Sequence, residues 1–237
     1  MDRIDKPTHS GSSFRGARWF QAGVCGALLL WALGSMAETF QNYDQVVASP
    51  LPRDVLWHVI ARDGKSKNYT DLIPLDGGTV GIAHFATGGL GALYANMDTD
   101  KYFAKSRDTM RKQFAADCRP AGKTGNDTGW GCYSKPWWKQ GMQNFLHSDD
   151  SKDVQHKAWT QLMEPVIKGA LNHDWRSERA LAIALSIANS LGAAGFSHLA
   201  NQYGWNAEKT LAAYAQRSDH TQRRKEALDK QFPPTPL

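Results

Sequence analysis

The sequence predicts a mainly α, α+β domain: a small β-hairpin lobe beside a helical lobe with a buried central helix. Three observations carry this. After Gly89, apolar residues recur at helical spacing through most of the chain. One stretch, residues 69–85, instead alternates like strands and turns at Asp76-Gly77, a hairpin signal. Residues 180–188 are apolar on every side, the pattern of a helix enclosed by protein or lipid. Polar flanks and Asn189, Ser190 and His198 point to enclosure by protein.

In chain order, residues 1–37 read as a signal peptide: Arg3, Lys6, Arg15 and Arg18, an apolar run from Trp19 to Leu33, then Ser35-Met36-Ala37 as a cleavage pattern. An uncleaved anchor is the alternative. Residues 38–53, with Pro50 and Pro52, read as a lead-in linker. Asp54 is placed to cap a short helix over 55–61, which Asp63-Gly64 ends. The hairpin lobe follows. Helices are then predicted over 90–97, 100–118, 137–146, 154–172, 174–199 and 207–231. Pro136 opens the third of these and Pro165 is placed to kink the fourth. Residues 233–237 form a frayed tail. With no internal repeat, residues 54–232 make one domain.

Export governs how the cysteines are read. Loss of the leader removes Cys25 and leaves Cys118 and Cys132, which flank a loop rich in Gly, Asp and Asn; a disulfide closing that loop is predicted. The pair lacks the neighbours a zinc site needs, so no metal or other cofactor is expected. The net charge of +5 suits an anionic partner such as nucleic acid, a membrane or an acidic cell wall. No basic run is interleaved with aromatics, so nucleic acid is not expected as a partner. Membrane contact is assigned to the N-terminal segment alone, and the mature chain to the periplasm or the exterior.

The chemistry concentrates between Ala61 and Gly89. Asp63, Asp71 and Asp76 lie there, together with Thr79 and His84. A glycosidic bond is cut by two carboxyl groups, one protonated and one ionised, and a helix end facing a hairpin can hold two such groups across a cleft. On spacing alone the three Asp residues also fit plain turn and capping roles. His84 is a general-base candidate or a hydrogen-bonded packing residue. The chain has nine Trp. Trp130, Trp137, Trp138, Trp159 and Trp175 are candidates for stacking on sugar rings, Trp159 fitting an inner helix face as well.

Tyr69-x-Asp71 followed by Gly78-Thr79-Val80-Gly81-Ile82-Ala83-His84 resembles the phage-type lysozyme pattern. Asp76-Gly77-Gly78-Thr79-x-Gly81-Ile82-x-x-Phe85-x-x-Gly88 is similar to the corresponding stretch of the family 46 chitosanases, which share the lysozyme-like fold. The resemblance implies a glycoside hydrolase acting on a β-1,4-linked amino-sugar polymer; the expected compartment makes peptidoglycan the first choice, and the positive charge suits an anionic wall better than cationic chitosan. It assigns proton donation to Asp63, activation of water to Asp76 and orientation of that water to Thr79. Asp71 and His84 are held in reserve, and Tyr69, Trp130 and Trp138 are expected to bind substrate. Both families place a Glu where this chain has Asp63. That departure keeps open a glycan-binding or secretion-system protein that does not cut, and chitosanase activity is the other alternative. The oligomeric state is left open.

Overall fold

The computed structural model describes residues 39–63, 67–75, 78–86, 88–118, 127–128 and 131–234. These residues are mainly helical, as the periodicity implies, with two small antiparallel hairpins. The central helix α9, Glu178–Gln202, forms the axis of the core. Every residue from Leu181 to Ala188 is buried, and α9 touches α2 (Leu51–Asp54), the π-helical stretch Val55–Ile60, α8 (Ser151–Asn172), α10 (Ala207–Ala215) and α11 (Asp219–Gln231). Small residues at 180, 182, 184 and 188 admit that many neighbours. Gly192, at φ 71° and ψ 169°, breaks α9 internally. Only glycine enters that region readily.

Residues 39–53 are part of the folded body, where a linker was expected. Phe40, Val46, Leu51 and Pro52 are buried, Phe40 N–H donates to Arg176 O, and α1 spans Tyr43–Ala48. Pro50 and Pro52 start a helix here because a first-turn proline gives up no hydrogen bond. Helical backbone then runs from α2 through Val55–Ile60 into α3, Ala61–Asp63. Asp54 is therefore inside the helical run and caps nothing.

The predicted hairpin is present as β1 (Leu72–Ile73) and β2 (Thr79–Val80), with Leu72 opposite Val80 and Ile73 opposite Thr79. α4, Gly88–Asn96, follows it. The helix expected over 100–118 is two: α5 (Thr99–Phe103) stops at Ala104 in the left-handed region, and α6 (Arg107–Asp117) restarts under a Ser106 cap. A second hairpin, β3 (Asp127–Thr128) with β4 (Gly131–Cys132), was not anticipated. The Cys118–Cys132 disulfide joins the end of α6 to β4. α7, Pro136–Leu146, buries Trp138, Met142 and Phe145 at i, i+4 and i+7.

α8 continues past Pro165 as one helix and turns Trp159, Met163, Val166 and Ile167 inward. The last predicted helix is also two, α10 and α11, separated by a Ser218 capping box. Arg224 of α11 is 1% exposed despite its charge. It donates to Ser186 O at 2.9 Å and Ser190 Oγ at 2.6 Å.

Candidate functional site

The outer face of the first long helical run and the chain entering β1 form the site. Val55, Leu56, Val59 and Ile60 are buried, which leaves Trp57 on the far side, 47% exposed. Burying an indole contributes more than exposing it, so an outward Trp is informative. Trp57 stacks on Tyr69, with ring centroids 5.7 Å apart and planes 14° from parallel. The exposed indole, backed by the Tyr69 ring, forms a flat aromatic platform. Beside it is an open cavity of about 480 Å³ lined by Trp57, Ala61, Arg62, Lys67 and Asn68. Asp63 is the last residue of the helix that forms this wall.

Tyr69 is fixed from beneath by two residues of α8. Gln155 is fully buried. Its amide donates to Tyr69 O at 2.8 Å and Ser151 Oγ at 2.9 Å, and its Oε1 accepts Ile82 N–H at 3.2 Å. One side chain thereby ties both ends of the hairpin lobe to the helical body. Gly81 makes room for it: a Cβ there would sit 1.9 Å from Gln155 Oε1, and φ is +64°. His156, the next residue, meets the Tyr69 hydroxyl at 2.5 Å through Nε2. Burial, reinforced by nearby Arg53, lowers the His156 pKa. Burial also raises the Tyr69 pKa. Both shifts favour neutral partners, so the contact is a hydrogen bond between uncharged groups whose direction follows the imidazole tautomer.

A second cavity, of about 390 Å³, is lined in part by His156. Tyr43 of α1, Arg53 of α2 and Asp153, His156 and Lys157 of α8 line it. Among the described lining residues of both cavities the cations are Arg53, Arg62, Lys67 and Lys157, and the carboxylate is that of Asp153.

The sequence candidates fall as follows. Tyr69 is in the site. Asp71 Oδ2 accepts backbone N–H groups from Lys67 at 2.6 Å and Asn68 at 3.0 Å, so the carboxylate holds the turn that presents Tyr69. The turn reading accounts for Asp71. Thr79 is 8% exposed and its hydroxyl donates to Leu75 O at 3.2 Å, which leaves its lone pairs as acceptors. His84 is half-buried at φ 57°, in the turn after β2. Asp76 and Trp130 lie outside the described residues. Trp138, expected to bind substrate, is fully buried and presents no face to a sugar. It is a support instead: its indole N–H donates to Tyr94 Oη at 2.7 Å, and Gly78 of the hairpin rests against its ring. Trp159 and Trp175 are likewise core residues, while Trp137 is half-buried with its N–H on Asp117 Oδ2 at 3.0 Å. Among the described residues no three His, Cys, Asp or Glu side chains gather as metal ligands.

Sequence reading missed Trp57, Gln155 and His156. Trp57 had a legible signal, an aromatic on the polar side of the Val55-Val59 helical pattern. The other two had none, because their partners are more than 70 residues away in sequence. No protein-family model, no curated protein and no solved structure matches the chain.

Proposed function

We propose that the chain is a lysozyme-like glycoside hydrolase that cuts a β-1,4-linked amino-sugar polymer, with peptidoglycan as substrate, in the periplasm or outside the cell. The observation that carries the reading is the Trp57–Tyr69 platform beside the helix end that bears Asp63. Sugar rings present a face of C–H bonds, and a flat, half-exposed aromatic surface at a cavity mouth is a suitable partner for it. In this reading a ring stacks on the platform, Asp63 protonates the leaving oxygen and Asp76 activates water on the other face. The Thr79 hydroxyl, its proton engaged by Leu75 O, accepts from that water and orients it. Excess positive charge around both cavities favours an acidic wall over cationic chitosan.

Incubating the purified protein with peptidoglycan and, separately, with chitosan tests this. Soluble fragments and new reducing ends are expected from peptidoglycan and not from Asp76→Asn or Asp63→Asn. Full activity in Asp76→Asn would remove that residue from the mechanism. A second reading, glycan binding without cleavage, is favoured by the engagement of the Asp71 carboxylate in its turn, which leaves fewer acids for catalysis. Sedimentation with the wall in the absence of any fragments would establish it.

A further inference from the structure

The cavity beyond His156 has a composition the cleavage chemistry does not use. Arg53 and Lys157 lie on its rim, from α2 and α8, and Tyr43 of α1 forms part of its wall. Neither cation makes an ion pair or a side-chain hydrogen bond among the described residues. Lys152 adds a third positive charge nearby, 5.8 Å from the centre of the Tyr69 ring.

Position ties this cavity to the platform. His156 lines it and also meets the Tyr69 hydroxyl at 2.5 Å, so one side chain links this cavity to the ring that stacks on Trp57. A group attached to a sugar on Trp57 would reach the cavity by extending past Tyr69 and His156. About 390 Å³ accommodates a few small residues, within the range of ordinary ligand pockets. Guanidinium and ammonium groups on the rim select carboxylates, and Asp153 offers one acceptor for an amine.

We propose that the Arg53–Lys157 cavity is a branch subsite that binds the carboxylate-bearing peptide substituent of an amino-sugar polymer. The subsite rests on the glycan reading above and narrows it: the preferred substrate is the peptide-bearing polymer, and the bare glycan chain is a poorer one. Ring stacking supplies affinity common to both, and the branch contact supplies the difference between them.

Sedimentation binding to intact peptidoglycan, and to the same glycan stripped of its peptides by an amidase, separates the two contributions. Wild-type protein should bind the intact polymer about tenfold more tightly, with the preference shrinking as salt is raised. Arg53→Gln/Lys157→Gln should lose that preference and bind stripped glycan like wild type; both side chains are exposed, and a thermal melt checks that the fold is kept. Trp57→Ala should weaken binding to both polymers. Equal wild-type affinity for the two, or an equal loss on both in the double variant, overturns the subsite and leaves the glycan reading standing. Failure of the wild-type protein to bind either polymer overturns both.

Discussion

Gly81 meets two demands that no other residue meets. Its φ of +64° costs an L-residue about 1–2 kcal/mol. A Cβ there would also displace Gln155, whose contacts to Tyr69, Ile82 and Ser151 contribute about 1 kcal/mol each. Gly81→Ala is therefore expected to destabilise the protein by about 3 kcal/mol in urea unfolding and to loosen the platform with it. Gly192 is the contrasting case. Its backbone is as special, but nothing lies within 4 Å of a Cβ there, so Gly192→Ala carries the backbone cost alone. His156 gives a pH signature. Its folded pKa is depressed below the ordinary 6.5, so its neutral form stabilises the fold above that pH. As pH falls below 6.5 the unfolded chain takes up the proton first, and stability drops. The melting temperature of wild type should fall between pH 7 and pH 5 more than that of His156→Gln. An identical fall in both would mean that His156 is not the group responsible. Trp57 and Trp138 mark how far single residues are legible. The helical spacing of Trp138, Met142 and Phe145 already marked a core face, and weighing Trp as a sugar ligand obscured it.

At the scale of elements, boundaries were less legible than existence. The central helix was readable because only a core tolerates residues 180–188, apolar on all sides, in a chain with polar flanks. Its break at Gly192 was not, since a lone glycine in a helical pattern also reads as a weak helix residue. Ser106 and Ser218 were available as caps, yet the apolar spacing carried across both and merged helices the structure separates. The hairpin was legible from Asp76-Gly77 and alternation; what fixes it to the body, Gln155 and Trp138, is remote in sequence. The disulfide between α6 and β4 was read from cysteine parity and the character of the intervening loop. Closing a loop of sequence separation 14, it should contribute about 3 kcal/mol by restricting the unfolded chain. Cys118→Ala/Cys132→Ala should lower the urea midpoint accordingly, and dithiothreitol should reproduce the loss in wild type and do nothing to the variant. Equal sensitivity of the two proteins to dithiothreitol would remove the disulfide as the cause.

Across the whole molecule, Arg224 and Tyr214 bond the C-terminal helices to the core helix, and a further side chain that the sequence did not single out clasps both at once. Arg179, near the start of α9 and 12% exposed, donates to both oxygens of Glu208 at 2.6 and 2.8 Å, to Asp229 at 2.7 Å and to Phe232 O. It thus joins α9 to α10, α11 and the residue after α11. The Glu208 half is more than half exposed, so screening makes it worth little. Asp229 and the Phe232 carbonyl carry the clasp. Burial by itself would raise the Asp229 pKa, but hydrogen bonds from Lys225 and Arg179 outweigh it and hold the carboxyl below its ordinary 3.8. A depressed folded pKa gives stability that is present above the unfolded value and lost as pH falls through the folded one. Arg179→Gln should cost about 2 kcal/mol at pH 7 by urea unfolding, and its gap from wild type should narrow below about pH 4 as Asp229 protonates. A gap that stays constant down to pH 3 would place the stabilisation in the Phe232 contact and the packing of the arginine stem, with no share from the ion pair.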